Sequence, residues 1–416
     1  PYHAFFYLYL APRKIQTLSS QKTRQMIRNE LIHDLPIKWE RMQQAMQQQG
    51  ADGCLLTVDV NLYYTTGRIY SGYFYLPATG SPWFFVKRPN GLQADQLFYI
   101  RKPEQMPEIF EQHQLPLPHK LLLEADELTY SEYTRLLSIF KPAETGNATA
   151  MMRQLREIKT PYEIEQFRLS ARQHEAVYAL LPECYRPGMT DLQFQSEIEL
   201  RMRQHGSMGL FRAFGANMDI FMGSVLAGDN AETPSPFDFA LGGAGVNEAC
   251  PLGANGTLLQ EGMAIMVDMA GNYTPYITDM TRVCSVGKLS DLAYRAHQVA
   301  LEIQAAIEAT ARPGTSCAEL YNLAYAKVQQ AGLEAYFMGT KQQAKFVGHG
   351  IGLQINELPV LTPRSKELLQ THMVFALEPK FVIPGVGAVG VENSFLVTET
   401  GLEKLTRFPE EIIELH

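Results

Sequence analysis

Two aspartates lie within apolar stretches in the second half of the chain. Asp268 interrupts the apolar run Met263–Ala270, and Asp279 lies in a second β-rich run that follows a Gly-Asn turn. If the two runs form a hairpin centred near Tyr273 and Thr274, the aspartates lie roughly opposite each other on one face of a sheet. Two carboxylates this close on a buried surface repel strongly, so the pattern predicts a cation between them.

A second pair of acids and a histidine follow downstream. Glu378 ends an apolar strand, Glu392 lies inside a predicted strand over residues 388–397, and His349 is flanked by glycines that let a ligand approach the backbone. Each acid alone is more typical of a capped or salt-bridged structural residue than of a metal ligand. Together, four carboxylates and one imidazole favour a centre of two divalent ions such as Mn²⁺, Co²⁺, Fe²⁺ or Zn²⁺, whose charges would balance the carboxylates.

A repeated pattern predicts how these residues are positioned. The segments 186–188 and 312–314 both read Arg-Pro-Gly, and each precedes a capped helix that ends near a glycine, Gly206 or Gly332, at the same distance. Matching starts and ends favour a duplicated unit over chance. We therefore predict a pseudo-symmetric α+β domain over residues 150–416, with its site between the two halves.

The first half of the chain predicts a smaller α/β domain over residues 26–145, and residues 1–25 are predicted to be an extension outside the fold. A polar stretch at residues 141–146 is typical of a linker. Helical spacing covers residues 35–49. The predicted strands cover residues 53–58, 83–86, 97–100 and 120–123.

Composition excludes several classes of protein. The chain has 416 residues and a net charge of −8, and it has no cluster of Lys and Arg, which argues against nucleic-acid binding. No apolar run approaches the roughly 18 residues that a membrane helix needs. The five cysteines are scattered and form no C-x-x-C pair, which favours buried, reduced thiols and a cytoplasmic protein.

The acidic residues and the histidine also carry a family resemblance. Asp268, Asp279-Met-Thr-Arg, the segment 348–352 (Gly-His-Gly-Ile-Gly), Glu378-Pro and Glu392 resemble the pita-bread metallopeptidases, which include aminopeptidase P, prolidase, methionine aminopeptidase and the metal-free creatinase. Gaps of 11 residues between the aspartates and 14 between the glutamates are similar to the aminopeptidase P and prolidase branch. Residues 156–160 and 61–67 extend the resemblance upstream. It implies a pita-bread catalytic domain preceded by a ribonuclease-H-like, creatinase-type N-terminal domain.

The resemblance also implies a site and a reaction. Two divalent ions, with Mn²⁺ the leading expectation and Co²⁺, Zn²⁺ or Fe²⁺ the alternatives, would share a water whose proton Glu378 takes as general base. The implied activity is cleavage of short Xaa-Pro peptides or a related amide by a homo-oligomer, such as a homodimer. The implied metal ligands are Asp268, Asp279, His349, Glu378 and Glu392.

Three positions depart from the family pattern. Asn356 and Leu252 replace histidines that handle the substrate in relatives, and Gly390 replaces an arginine. The Asn356 amide can donate to a substrate carbonyl oxygen, which makes it a candidate catalytic residue, but it cannot carry a proton. Two alternatives therefore stay open: a lyase or non-peptide amidase of the same fold, and a metal-containing binding protein without turnover.

Overall fold

The computed structural model describes residues 21–215, 222–237 and 239–416. Most of the predicted extension, residues 1–20, lies outside the described residues. The first described helix begins at Gln21 and crosses the predicted domain start at residue 26. Within the described residues, no helix has an apolar stretch long enough to cross a membrane.

The N-terminal domain is a mixed six-stranded sheet with helices packed on it. Strand β1 lies near the centre of the sheet because all four of its residues are apolar or small and buried. The strands lie in the order β4-β3-β2-β1-β5-β6. The elements are α1 (Gln21–Gln48), β1 (Gly53–Leu56), α2 (Asp59–Thr66), β2 (Ser71–Pro77), β3 (Trp83–Arg88), β4 (Leu97–Tyr99), α3 (Met106–Gln112), β5 (Lys120–Leu123), α4 (Tyr130–Phe140) and β6 (Glu144–Asn147).

The predicted linker is wrong in part, since its second half forms β6. This strand pairs in parallel with β5 at the edge of the sheet, where Glu144 and Thr145 are exposed. An edge strand can stay polar because only one side of its backbone is paired, so composition alone indicated a loop.

The C-terminal domain contains three sheets and six helices among the described residues. A four-stranded sheet has the order β17-β9-β8-β7, a five-stranded sheet has the order β11-β10-β12-β15-β16, and β13 pairs with β14. The elements are α5 (Ala148–Glu157), α6 (Pro161–Tyr178), α7 (Leu181–Cys184), α8 (Asp191–Gln204), β7 (Gly223–Ala227), β8 (Met263–Gly271), β9 (Thr278–Val286), α9 (Asp291–Thr310), α10 (Cys317–Ala331), β10 (Gly348–Gly350), β11 (Glu357–Val360), β12 (Val374–Leu377), β13 (Lys380–Ile383), β14 (Gly387–Gly390), β15 (Asn393–Val397), β16 (Leu402–Lys404) and β17 (Ile413–Leu415).

The capped helices begin where the sequence predicts. Thr160 and Thr190 each form a capping box with the residue three positions on, and Ser316 accepts a hydrogen bond from the backbone of Glu319. The two repeat helices, α8 and α10, are both present. All five cysteines are free, and four of them are buried.

Two details of the acid-bearing strands differ from the prediction. Asp268 pairs with Thr281, while Asp279 pairs with Ala270, so the aspartates are diagonal neighbours rather than direct partners. They still share a face, because the hairpin turn is centred only one residue later than predicted. The predicted strand over residues 388–397 is instead split at Glu392, where the chain passes from β14 to β15 and into another sheet.

A buried ion cluster joins the two domains. The Lys38 ammonium of α1 lies 2.9 Å from Asp34 and 2.9 Å from the Glu163 carboxylate of α6, which also accepts a hydrogen bond from Tyr276 at 2.7 Å. Burial would raise the pKa of Glu163, but the charge and hydrogen bond of Lys38 outweigh it, so this pKa lies below its usual range. The folded state therefore favours the ionised carboxylate.

Replacing Lys38 with Met should lower the free energy of unfolding by about 3–5 kcal/mol, because two buried carboxylates lose their cation. The double variant Lys38→Met/Glu163→Gln should recover part of that loss in denaturant melts, since only the buried Asp34 then stays without its cation. The folded-state pKa of Glu163 is depressed, so its contribution is present above about pH 4.5 and is lost as the pH falls. Glu163→Gln should flatten this part of the acid-side decline, and an unchanged pH profile would contradict the assignment.

Candidate metal centre

All five predicted ligands line one cavity. Asp268 and Asp279 come from the β8–β9 hairpin, and His349 lies on β10 of the neighbouring five-stranded sheet. Glu378 follows β12, and Glu392 lies between β14 and β15. Asp268 and Glu378, which are 110 positions apart in the sequence, thus line the same cavity because the two sheets converge at this point.

One part of this cluster has the geometry of a cation site. Asp279, His349 and Glu392 each offer a ligand atom, and the three atoms lie within 4.8 Å of one another. His349 Nε2 lies 3.3 Å from Glu378 Oε1 and 3.8 Å from Asp279 Oδ2. His349 Nδ1 lies 3.2 Å from the Gly350 carbonyl oxygen, so a proton on Nδ1 is held there and Nε2 faces the acids.

Only one of the two carboxylate oxygens of Glu392 has hydrogen-bond partners among the described residues. Its Oε2 accepts a hydrogen bond from Thr281 at 2.6 Å, whereas its buried Oε1 has no hydrogen-bond partner among the described residues. A buried carboxylate oxygen without a partner is unfavourable unless a cation binds it. Ser394 joins the two sheets beside it, because its hydroxyl bonds both the backbone N–H and the carbonyl of Asp279.

Lys380 is part of the site, and the sequence analysis missed it. Its ammonium lies 2.8 Å from Asp268 Oδ2, 2.7 Å from Glu378 Oε2 and 3.0 Å from Glu392 Oε2, and the side chain is 1% exposed. One sequence signal could have indicated Lys380, because this lysine begins the apolar run Phe-Val-Ile two residues after the predicted ligand Glu378. A lysine in such a run is either at a strand end or paired with acids.

The charges divide the cluster into two parts. Burial would raise the pKa of Glu378, but Lys380 and His349 outweigh it and lower this pKa to about 2. Burial and the charge of Asp268 raise the pKa of Asp279 to about 7, and burial together with Asp279 raises the pKa of Glu392 well above its usual range. The positive charges of Lys380 and His349 therefore outweigh burial at Glu378 but not at Asp279 and Glu392.

His349 responds to the same excess of negative charge. Burial would lower its pKa, but the hydrogen bond to Glu378 and the charges of Glu378 and Asp279 outweigh burial and raise the pKa to about 9. A divalent ion that binds Nε2 must displace the proton held there. Cation binding at this site should therefore release protons.

The cavity above these groups has a volume of about 450 Å³ and mostly apolar walls. Leu252, predicted to replace a substrate-handling histidine, is buried in this wall. Asn356 also lines the cavity; its amide oxygen accepts a hydrogen bond from the Phe214 N–H at 2.6 Å, and its Nδ2 donates to the Phe214 carbonyl at 2.8 Å. Nδ2 carries a second N–H that bonds no described residue. The aromatic and aliphatic lining includes Phe211, Phe214, Phe239, Leu241, Phe346 and Ile355.

The structure explains why no arginine stands at position 390. Gly390 has φ 146° and pairs with Lys380 across the β13–β14 hairpin. A Cβ at this position would lie 2.4 Å from the Pro379 carbonyl oxygen and 2.8 Å from the Lys380 Cα. No side chain fits there while β13 keeps this backbone position.

A buried network fixes the wall that carries Asn356. The neighbouring Glu357 carboxylate accepts from Arg156 at 3.1 Å and from Lys159 at 2.9 Å, and Arg156 also bonds Asn61 of the N-terminal domain. Burial would raise the pKa of Glu357, but Lys159 and Arg156 lower it below its usual range. The N-terminal domain thus helps to position the cavity wall.

Comparison with known proteins agrees with this geometry. Residues 165–399 match Metallopeptidase family M24, and residues 38–158 match the Creatinase/Prolidase N-terminal domain. The Uncharacterized peptidase YqhT of Bacillus subtilis is 26% identical over 397 residues, covering 91% of this chain and 100% of that protein.

Solved structures share the fold over nearly the whole chain. The Xaa-Pro dipeptidase from Bacillus anthracis has a TM-score of 0.76 and 25% identity, covering 92% of this chain and 100% of that one. The prolidase from Pyrococcus furiosus has a TM-score of 0.71 and 22% identity, covering 88% and 99%. The chain therefore belongs to metallopeptidase family M24, with a creatinase-type N-terminal domain and a pita-bread catalytic domain.

Replacing Thr281 with Val should weaken divalent-cation binding about 10- to 100-fold, because Glu392 loses the hydroxyl that orients it. Mn²⁺ titration calorimetry measures the change. Thr274→Val is the matched control, since Thr274 is also buried and lies in the loop of the same hairpin but does not contact the acids. Equal affinities in the two variants would contradict a supporting role for Thr281.

Proposed function

We propose that this protein is a metal-dependent peptidase that hydrolyses short Xaa-Pro peptides. The observation that carries the proposal is the convergence of Asp279, His349 and Glu392 within 4.8 Å at the floor of an apolar cavity. Membership of a metallopeptidase family and the similarity to Xaa-Pro dipeptidase and prolidase structures support it.

The residues at this position fit a divalent cation, and we propose Mn²⁺ as the ion. The unpartnered Oε1 of Glu392 and Nε2 of His349 supply oxygen and nitrogen donors that suit Mn²⁺, Co²⁺, Fe²⁺ or Zn²⁺. A bound ion would act as a Lewis acid and lower the pKa of a water molecule. The second ion predicted from the sequence would also need Asp268, which Lys380 contacts.

We propose Glu378 as the general base. Its pKa of about 2 keeps the carboxylate ionised at neutral pH, and its Oε1 lies 3.3 Å from Nε2 of His349, one of the proposed metal ligands, which supports this role. Glu378 would accept the proton of the attacking water and transfer it to the departing amine nitrogen. The second N–H of Asn356 would donate to the substrate carbonyl oxygen as negative charge develops there.

The cavity walls support a proline-containing substrate that ends in a carboxylate. Phe214, Phe239 and Phe346 provide apolar surface for a pyrrolidine ring. Arg153 reaches the same cavity, where its guanidinium stacks 3.8 Å from the centre of the Phe214 ring and bonds the Asn356 carbonyl. It has no carboxylate partner among the described residues, so it can bind the substrate carboxylate in place of the arginine that Gly390 excludes.

We also propose that the protein is a cytoplasmic homo-oligomer. The five free cysteines support a reducing compartment. The resemblance to aminopeptidase P and prolidase supports the proposed homo-oligomeric state.

Glu378→Gln should reduce kcat/KM for an Xaa-Pro dipeptide about 10²- to 10⁴-fold in the presence of Mn²⁺, because the amide cannot accept a proton. The exposed Glu399→Gln is the matched control and should keep full activity. Unchanged hydrolysis by Glu378→Gln would contradict the assigned base.

The same assay separates the other functions. Wild type that turns over amides but no Xaa-Pro peptide would indicate a non-peptide amidase. Ligand binding without turnover of any substrate would indicate a binding protein.

Arg153→Met should raise KM for dipeptides with a free carboxylate at least about tenfold, because it removes a charge-assisted hydrogen bond. The expected effect on C-terminally amidated peptides is small, and kcat should change little for either. Steady-state kinetics on the matched pair of substrates measures this. An equal rise in KM for both substrates would show that Arg153 acts only through the Phe214 wall.

A further inference from the structure

The Lys380 ammonium has no N–H bond left for a hydrogen bond to another group. An ammonium group carries three N–H bonds, and the three carboxylates of Asp268, Glu378 and Glu392 each accept one of them. The group is 1% exposed. Lys380 therefore acts as a fixed positive charge among the acids.

The backbone holds Lys380 in this position. Lys380 pairs with Gly390 in the β13–β14 hairpin, and the Lys380 carbonyl oxygen accepts a hydrogen bond from the Met338 backbone N–H at 2.9 Å. Strand β13 is buried along its whole length. The side chain thus projects into the acid cluster from a rigid strand and not from a loop.

A second divalent ion beside Asp268 would compete with this ammonium for the same oxygens. A metal ion binds carboxylate oxygens at about 2.0–2.2 Å, and the Asp268 and Glu392 oxygens that face each other here are bridged by Lys380 at 2.8 and 3.0 Å. Two cations that share these oxygens would also repel each other across a short distance. The residues near Asp268 therefore do not fit a second ion while Lys380 keeps its position.

The other half of the cluster is not bridged by the ammonium. Lys380 does not contact Asp279, and it bonds Oε2 of Glu392, whereas the unpartnered oxygen is Oε1. His349 completes this half. The Asp268 half thus holds a lysine ammonium, which cannot bind a metal ion, whereas the other half holds an imidazole, which can bind one through Nε2.

We propose that the Lys380 ammonium replaces one of the two divalent cations predicted from the sequence, so that the protein binds a single divalent ion per chain, at Asp279, His349 and Glu392. This inference rests on the metal site of the proposed function and revises its stoichiometry. Lys380 is a positioning residue: it holds Asp268, Glu378 and Glu392 together without contacting substrate.

Metal counting on the full-length protein tests the proposal. Protein stripped with chelator is titrated with Mn²⁺, and bound manganese per chain is measured by elemental analysis and electron paramagnetic resonance. Wild type should bind one ion and give the spectrum of an isolated Mn²⁺. Lys380→Ala should bind two and give the spectrum of an exchange-coupled pair, and the exposed Lys288→Ala should behave as wild type.

Thermal unfolding of the same proteins gives a second readout. Without metal, Lys380→Ala should melt below wild type because its carboxylates lose their cation, and added Mn²⁺ should raise its melting temperature more than that of wild type. If the variant does not fold, the number of Mn²⁺ ions bound per wild-type chain still tests the proposal. Two ions or none in wild type would overturn the proposal, and so would one ion in a folded Lys380→Ala.

Metal counting combined with a peptidase assay distinguishes failure of the Lys380 proposal from failure of the proposed function. One ion in a wild type that hydrolyses no peptide would support the Lys380 assignment and remove the proposed substrate. Two ions in an active wild-type peptidase would overturn the Lys380 assignment and support the proposed function.

Discussion

Repulsion among four carboxylates in one buried cluster is the constraint on which this site depends. Asp268, Asp279, Glu378 and Glu392 come from separate strands and strand junctions, so only tertiary structure brings them together. Buried charges of one sign are tolerated only with compensating positive charge. Lys380 supplies part of that charge from within the chain. The buried Glu392 Oε1 on the other side of the cluster has no hydrogen-bond partner among the described residues, and this supports the proposed cation site.

The framework around the cluster uses buried ion pairs for a different purpose. Lys38 with Glu163 joins the N-terminal domain to α6, and Arg156, which pairs with Glu357 on β11, also bonds Asn61 of the N-terminal domain. Breaking a buried pair is strongly unfavourable because one charge is left without a partner. Such pairs therefore resist relative movement of the two domains. The cavity wall at Asn356, next to Glu357, gains its rigidity from this arrangement.

Much of the fold, and the grouping of the five proposed ligands, could be predicted from the sequence, because isolated acids in apolar strands and Thr or Ser caps are local signals. The details that failed depend on tertiary pairing. The offset of Asp268 and Asp279 follows from a turn centred one residue later. The split at Glu392 follows from a change of sheet inside a segment that the sequence predicts as one strand. Strand β6 is polar because it lies at an edge. Lys380 was missed because its partners are distant in sequence, apart from Glu378, and residue spacing does not show which acids a lysine meets.

The pairing of Gly390 with Lys380 limits which substitutions the two positions tolerate. A Cβ at position 390 meets the backbone of Pro379 and Lys380, and not a side chain that could turn away. An arginine at 390 and the present path of β13 are therefore mutually exclusive. A side chain at position 390 requires a shift of the backbone at Pro379 and Lys380, and such a shift would also move the ammonium that bonds Asp268, Glu378 and Glu392. One backbone geometry thus sets both the missing side chain at 390 and the position of the cluster's internal cation.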